Sequence, residues 1–503
     1  MSERARRRAR PTRATVNRPA FIKRQVPAFE YLSEEGLTRI EDQADHIIQE
    51  IGLEFREDPK ALEIWKDAGA DVKGTRVRLP KGMARELSKT APLSFQQCAR
   101  NPENNVMIGD GNSVFAAVYG PPFVRDLEKG RRYGSMEDFE KLVKLAYMLP
   151  GIHHTGFVIC EPCDIPVNKR HLDMLYTHMR WSDKPHLGAI VEKERAEDSV
   201  EMARIVHGSD FVDNNCVIMG NVNTNSPLLV DKVVTEAIYT YSGQGQGMIV
   251  SPFILSGAMG PVTTAASISL AFAEALVCCA FAQLVKPGSP FILGNFLSSM
   301  SLKTGAPTFG MPEPVASHYI IGQLARRAGL PLRCGGSLTA AKICDAQAAY
   351  ESADSMHSTV LAGANFILHS AGWLEGGLAT GFEKLIIDAD RLRAYEKLLG
   401  GVELDANAIG AQAFDDVEPA GHFLGSAHTM ANYETAFYES VTANHDSCEQ
   451  WEEDGSKTTE QRAFEKWQQM LKEYQAPDLD AAIDEELKAY IAKKKESMTD
   501  AWY

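Results

Sequence analysis

One unit of strand, loop, helix and strand recurs along this sequence, and the recurrence restricts the folds open to the chain. The stretch Pro331–Gly377 shows the unit in full. A short apolar run ends in Gly335-Gly336, a long amphipathic pattern follows over about residues 340–362, and a second apolar run, Asn365–Leu368, ends in His369-Ser370. Because the helix between them returns the chain to the start of the sheet, we expect the two strands to be parallel neighbours.

The unit can be counted eight times. Short runs of small and β-branched residues, typical of strands buried on both faces, begin near residues 114, 157, 186, 216, 248, 290, 331 and 365. A helical pattern follows each run, so the sequence predicts a (β/α)8 TIM barrel. A doubly wound sheet is the alternative. It is disfavoured because Gly243–Gly247 lacks the spacing of a dinucleotide-binding turn and precedes a strand.

The segments on either side of the repeats differ from them, which predicts four parts. We expect a basic extended arm over 1–30, an N-terminal α+β cap over 31–112, the barrel over 113–400 and a C-terminal helical extension over 401–503. Helical spacing over Glu34–Ile51, a strand pattern over Gly69–Leu79 and a hairpin near residues 94–108 support the cap. Charged helical patterns over Thr459–Tyr474 and Leu479–Lys495 support the extension.

Composition excludes several classes of protein. The net charge of −15 argues against a nucleic-acid binder, and nine scattered cysteines favour a reduced, cytoplasmic protein over a disulfide scaffold. Arginines near the N-terminus have no apolar run after them, so we expect no signal peptide. The stretch Ala265–Val285 approaches membrane length, but it contains Glu274 and Gln283 within the repeat pattern. We therefore expect a buried barrel helix and no membrane span.

The active site of such a barrel lies in the loops at the C-terminal ends of its strands. The residues predicted to line this mouth are Tyr119, Glu161, Asn221, Asn223, Phe253, Asn295, Phe296, Gly336, Ser337, His369 and Trp373. This set is poor in metal ligands and suits an organic cation. Each residue also has a plain structural interpretation, for example Glu161 as an ion-pair partner of Arg170 or His369 as a core histidine.

Cys160-Glu-Pro-Cys163 is a metal-like motif in the same region. A single Cys-x-x-Cys without a second pair is weak evidence for zinc, and the surroundings do not resemble a thioredoxin. We therefore assign no metal ligand and no catalytic residue, and a zinc-dependent barrel enzyme stays as an alternative.

Several sequence blocks resemble the trimethylamine methyltransferase (MttB) superfamily. They are IGLEF and ALEIWKDAGADVKGTRVRLPKGM in the cap, GNVNTNSPL, SPFILSGAMGPVT, GGSLTAAKICDAQAAYES and ANFILHSAGWLEGGL in the barrel, and HFLGSAHTMANYETAF in the extension. The resemblance extends from about Leu37 to Trp467. It implies a barrel enzyme that transfers a methyl group from a methylamine to cob(I)alamin on a separate corrinoid protein. It implies no tightly bound cofactor in this chain.

The resemblance also bears on the substrate. Archaeal trimethylamine enzymes of this superfamily carry pyrrolysine near the seventh strand, whereas this chain has Cys334–Ser337 there. The chain thus resembles the non-pyrrolysine members, which act on quaternary amines such as glycine betaine. Aromatic faces would hold the cation, and His369, Asn221 and Asn223 are candidates to anchor a substrate carboxylate. Trimethylamine turnover and a non-catalytic betaine-binding barrel are further alternatives, and we expect a homo-oligomer.

Overall fold

A curled parallel sheet forms the centre of a mixed α/β fold in the computed structural model, which describes residues 19–502. Residues 1–18, the greater part of the predicted basic arm, lie outside the described residues. In sheet order the central strands are Met219–Val222, Gly247–Val250, Phe291–Gly294, Leu332–Gly335, Phe366–Leu368 and Asn112–Phe115. Every neighbouring pair among them is parallel. Six of the eight predicted strands are therefore present in the predicted order.

The strands predicted near residues 157 and 186 are not regular. Single bridges pair Ala116 with His154 and Leu187 with Met219. Histidine side chains take part in the backbone hydrogen bonding here: His153 Nδ1 accepts from the Phe115 N–H at 3.0 Å, and His154 Nδ1 accepts from the Gly156 N–H at 3.0 Å. Because side chains satisfy these amide groups, the chain bends through this region without a continuous ladder. The regular sheet is consequently a curled half-barrel.

Helices return the chain between the strands and cover the outside of the sheet. They are Met136–Met148, Arg170–Trp181, Lys193–His207, Ser209–Asn214, Lys232–Tyr241, Thr264–Val285, Pro312–Ala328, Ala346–Leu361 and Phe382–Leu399. The helix predicted from residue 340 begins later, at Ala346, because residues before it form a loop. Glu351 fixes that loop, as its Oε2 accepts from Thr339 Oγ1 at 2.6 Å and from the Ala340 N–H at 2.8 Å.

The helix Thr264–Val285 is long and apolar enough to cross a membrane by length and composition alone, but 89% of its apolar window is buried inside the protein. It is a core helix, as predicted. Glu274, fully buried at its middle, accepts from Thr224 Oγ1 at 2.5 Å, Ser226 Oγ at 2.7 Å and the Leu228 N–H at 2.7 Å. The helix thereby fixes the loop that follows the strand Met219–Val222.

The N-terminal part packs beside this core helix. Its elements are Ile22–Lys23, Glu34–His46, Ile47–Ile51, Leu53–Phe55, Pro59–Asp67, Asp71–Lys73, Arg76–Arg78, Met83–Ser88, Ser94–Gln97 and Val106–Gly109. The prediction of one strand over Gly69–Leu79 was wrong, because a turn at Gly74, with φ of +62°, divides it into a hairpin. The hairpin Ser94–Gln97 with Val106–Gly109 is confirmed.

Two small sheets that the sequence did not predict extend the loops after the central strands. One contains Phe123–Asp126, Gly130–Tyr133, Trp373–Leu374 and Ala379–Gly381, and the other contains Phe253–Leu255, Phe296–Met300 and Pro307–Thr308. Phe253 pairs in register with Phe296. These sheets hold the aromatic side chains of four loops in fixed positions at the C-terminal ends of the strands.

The C-terminal extension consists of helices and long irregular segments. Its helices are Ala406–Ile409, Ala411–Asp415, Ala427–Asn432, Cys448–Glu453, Thr459–Glu473 and Ala481–Glu496. The last two confirm the predicted helices. Trp467 packs on Phe382 with ring centroids 5.1 Å apart, so Thr459–Glu473 lies against the helix Phe382–Leu399. Residues 499–501 return to the loop that precedes Arg170–Trp181.

A buried ion pair connects the helix Phe382–Leu399 to the loop after the strand Phe366–Leu368. Lys384 Nζ lies 2.6 Å from Asp388 Oδ2 and donates to Ser352 Oγ at 2.9 Å. Asp388 Oδ2 also accepts from the Gly372 N–H at 2.9 Å. Burial raises the pKa of Asp388, and Lys384 opposes that rise.

Replacing Lys384 by methionine should destabilise the fold, because Asp388 would stay buried without its partner. We expect the K384M variant to lose about 3–5 kcal/mol in the free energy of unfolding, measured by chemical denaturation. The K384M/D388N double variant removes both charges and keeps an acceptor for Gly372, so it should recover most of the loss. Equal losses in the single and double variants would contradict the prediction.

Candidate functional site

A cluster of aromatic rings lies at the C-terminal ends of the central strands. Phe296 lies 5.0 Å from Phe253 and 5.3 Å from His369 between ring centroids, the latter in a stacked arrangement. Trp373 meets His369 edge-on at 4.4 Å and Phe309 edge-on at 5.5 Å. Four of these five residues were predicted, and the structure brings them together. Phe309 was missed because it lies in a loop whose path the sequence does not reveal.

His369 is neutral in this cluster. Its side chain is only 2% exposed, and its Nδ1 accepts a hydrogen bond from the Tyr119 N–H at 3.2 Å. This bond places the remaining ring proton on Nε2. Burial, and then the nearby charge of Arg333, hold the pKa of His369 well below its usual range. The imidazole therefore presents a fixed N–H donor over the physiological pH range.

Arg333 is a buried cation that the sequence analysis missed. It is 1% exposed, and its guanidinium carbon lies 4.9 Å from the centroid of the Phe296 ring. Its Nη1 donates to the Asn295 carbonyl at 3.0 Å, while its Nε has no partner in the described part of the chain. Burial lowers the pKa of Arg333 to about 10, so it stays protonated at neutral pH. The sequence signal that could have identified Arg333 is its position as a lone charged residue within the apolar strand Leu332–Gly335.

Further buried polar atoms near the strand ends have no partner among residues 19–502. They include the Nε1–H donor of Trp373 and the Oδ1 acceptor of Asn221. Both side chains are well buried, at 4% and 7% exposure. Buried polar atoms are almost always paired in folded proteins, so these atoms mark positions where a ligand or water would bond.

Other predicted residues use their polar groups to hold the strand ends. Asn295 Nδ2 donates to Ser317 Oγ at 3.2 Å, and Ser337 Oγ donates to the Ser370 carbonyl at 2.7 Å. A Cβ added at Gly336 would lie 2.6 Å from the Ser370 Cα, so only glycine fits there. These contacts position the backbone that carries His369. Asn223 is different, because it lies exposed in the loop after its strand.

Glu161 lies beside Tyr119 at the edge of the site. Its Oε2 forms an ion pair with Arg170 Nη2 at 2.6 Å, as its structural interpretation predicted. Burial raises the pKa of Glu161, and Arg170 followed by Arg195 opposes the rise. Burial, followed by the charge of Glu161, also raises the pKa of the Tyr119 phenol. Since Glu161 is already paired, its charge is largely compensated within the protein.

The Cys160–Cys163 motif is not part of an assembled metal site in the described residues. Cys160 is buried and Cys163 is exposed, and burial raises the pKa of both thiols. No group of three or more His, Cys, Asp or Glu side chains within residues 19–502 is arranged to hold a metal ion. The geometry therefore gives the zinc alternative no support.

Comparison with known proteins establishes the family. A family model described as trimethylamine methyltransferase (MTTB) matches residues 1–499. The chain belongs to this family. Within it, the chain is 37% identical to the glycine betaine methyltransferase of Desulfitobacterium hafniense (strain Y51) over 470 residues, which cover 93% of this chain and 98% of the relative. The resemblance seen in the sequence, to a methyltransferase of this family, is confirmed.

Other similarities to members and neighbours of the MTTB family are more distant. The chain is 25% identical over 481 residues to trimethylamine methyltransferase MttB of Desulfitobacterium hafniense (strain DSM 10664 / DCB-2), covering 92% of this chain and 94% of that one. The crystal structure of the Methanosarcina barkeri monomethylamine methyltransferase (MtmB) aligns with a TM-score of 0.46 at 11% identity, covering 90% of this chain and 97% of that one.

The conformation of His369 gives a test of its role in this family member. Its φ of +58° is a left-handed conformation that asparagine tolerates better than alanine. We expect H369N to unfold within about 1 kcal/mol of the wild type, and H369A to lose about 1–2 kcal/mol more from backbone strain. Chemical denaturation of both variants measures these losses. Equal stability of H369A and H369N would contradict the prediction.

Proposed function

We propose that this chain transfers a methyl group from a quaternary amine, glycine betaine or a similar betaine, to cob(I)alamin on a separate corrinoid protein. The observation that carries the proposal is the cluster of Phe253, Phe296, Phe309, His369 and Trp373 at the strand ends. Aromatic faces attract a quaternary ammonium group by about 0.5–2 kcal/mol each. The name of the 37% identical relative, a glycine betaine methyltransferase, supports the same substrate class.

The methyl-transfer reaction requires the protein chiefly to position its substrate. The cobalt(I) nucleophile attacks one methyl carbon in line, the carbon–nitrogen bond breaks, and its electron pair leaves with nitrogen. A quaternary ammonium thus departs as a neutral tertiary amine, and no proton has to be transferred. The rings would hold the cation so that one methyl group faces the open mouth and the corrinoid, which is catalysis by orientation.

The finer architecture belongs to the same proposal. We propose that the half-barrel sheet closes into an eight-stranded (β/α)8 barrel through the irregular segments near residues 154 and 187. Support comes from hydrogen bonds of the Ala117 N–H to the His154 carbonyl at 3.2 Å and of the Leu187 N–H to the Gly156 carbonyl at 2.9 Å. Residues 31–112 would form the cap, 113–400 the barrel and 401–503 the extension. We also propose a cytoplasmic location, to match the corrinoid partner.

A methyl-transfer assay tests the function directly. Purified chain is mixed with glycine betaine and free or protein-bound cob(I)alamin, and methylcobalamin is followed by its absorbance. We expect transfer that depends on both the chain and the betaine. Binding without transfer, in the presence of a corrinoid protein that accepts methyl groups from a related enzyme, would favour a non-catalytic betaine-binding barrel. No transfer and no binding across a panel of betaines would contradict the proposal.

Trp373 should contribute to this activity through its ring. We expect W373A to lower kcat/KM for glycine betaine by roughly 2- to 30-fold, the loss of one cation–π contact of about 0.5–2 kcal/mol. F211A is a matched control, because the helix Ser209–Asn214 precedes the strand Met219–Val222 and so lies at the opposite end of the strands. Equal losses in W373A and F211A would indicate a general effect on folding.

We further propose that the chain works as a homo-oligomer. The segment 402–441 leaves many large apolar side chains exposed, including Val402 at 86%, Leu424 at 78% and Phe437 at 84%. A monomer rarely exposes so many neighbouring apolar groups to water. The double variant L424S/F437S should therefore shift sedimentation velocity toward a smaller particle. A wild-type mass equal to one chain would contradict this proposal.

A further inference from the structure

A buried positive charge without a counter-ion lies against the aromatic cluster. Arg333 is 1% exposed, yet no carboxylate among the described residues forms an ion pair with it or raises its pKa. Its protein contacts are the Asn295 carbonyl, bonded to Nη1 at 3.0 Å, and the face of Phe296. Removing a guanidinium from water is strongly unfavourable, and two neutral contacts do not replace its hydration.

The buried polar groups beside Phe296 that lack a partner are all hydrogen-bond donors. Arg333 Nε–H and Trp373 Nε1–H are buried donors without acceptors, and His369 presents its Nε2–H in the same ring cluster. Both His369 and Trp373 pack on Phe296, with ring centroids 5.3 Å and 6.0 Å from it. A cation and several donors without acceptors define a position suited to an anion with two or more acceptor atoms.

A carboxylate is the anion that fits the chemistry of the site. The aromatic faces suit a quaternary ammonium, and the guanidinium suits a planar carboxylate, which it can bind with two parallel hydrogen bonds. A molecule that carries both groups a short distance apart satisfies both halves of the site at once. An amine without an acid group would place its own positive charge near an uncompensated arginine.

We infer that Arg333 binds the carboxylate of the substrate, with Trp373 and His369 as neighbouring donors, so that the site selects zwitterionic betaines over quaternary amines without an acid group. This inference rests on the proposed function, because it deepens the assignment of the same site. It makes Arg333 a specificity-determining residue that the sequence did not predict, and it adds a fourth residue to His369, Asn221 and Asn223 as candidates for carboxylate binding.

Binding measurements on the full chain test the inference without the corrinoid partner. Isothermal titration compares glycine betaine with tetramethylammonium for the wild type and for R333M, which keeps length and apolar packing. We expect R333M to bind glycine betaine at least ~30-fold more weakly. Its affinity for tetramethylammonium should be unchanged or higher, because a repulsive charge has been removed. Equal weakening for both ligands, or no weakening for betaine, would overturn the inference.

Two controls separate binding from folding. R85M removes another arginine, one ion-paired with Glu41 and Asp45 in the cap, and should leave both affinities unchanged. R333M should melt at or above the wild-type temperature without ligand, since replacing an unpaired buried charge with an apolar side chain is not destabilising. Glycine betaine should raise the melting temperature of the wild type but not of R333M. If R333M does not fold, R333Q takes its place, because it also removes the charge, and it should show the same selective loss for betaine.

The binding measurements on Arg333 variants and the methyl-transfer assay can fail independently of each other. Betaine binding that depends on Arg333 but gives no methyl transfer would support the inference and contradict the proposed function. Methyl transfer from betaine by the wild type, with unchanged betaine affinity in R333M, would support the proposed function and contradict the inference about Arg333.

Discussion

Parallel strand pairing is the constraint on which the site depends. The six regular central strands, from Met219–Val222 to Asn112–Phe115 in sheet order, pair in parallel with one another, so all of their C-terminal ends lie on one side of the sheet. Residues far apart in sequence, such as Phe253 and Trp373, enter the site because each follows the end of a strand. Without that pairing the aromatic residues would be dispersed over the surface.

Buried carboxylates fix the loops of the site by accepting hydrogen bonds from them. Glu274 accepts from the loop 224–228, Glu351 from Thr339 and Ala340, and Asp388 from Gly372. Each accepts backbone N–H groups that would otherwise be unsatisfied. The acidic groups are therefore used to fix the loops, and the aromatic cluster itself contains no carboxylate. This arrangement explains how a chain with a net charge of −15 can keep Arg333 without a carboxylate partner beside the aromatic cluster.

Sequence periodicity predicted the features that depend on local pattern. Apolar runs followed by amphipathic helices located Phe291–Gly294 and Thr264–Val285 to within a few residues, because burial on two faces leaves a clear signature. The irregular segment around His153 and His154 escaped prediction, since its histidine side chains accept from backbone N–H groups, His153 from Phe115 of the neighbouring strand and His154 from Gly156. Of the predicted site residues, Phe253, Phe296, His369 and Trp373 met in space, while Asn223 is exposed although it directly follows the strand Met219–Val222.

Arg333 shows why sequence patterns alone could not define the whole site. Arg333 lies inside a strand, and an arginine in an apolar run is usually explained by an ion pair that only the fold can reveal. Here the fold brings no such partner within the described residues, and the charge meets Phe296 and a carbonyl. A protein that keeps a buried cation unpaired loses stability unless something else supplies the anion. In the proposed site a zwitterionic substrate supplies the anion, whereas trimethylamine, which has no acid group, leaves the arginine unpaired. The selectivity for a zwitterionic amine over trimethylamine then comes from the free energy of burying the Arg333 charge with or without an anion.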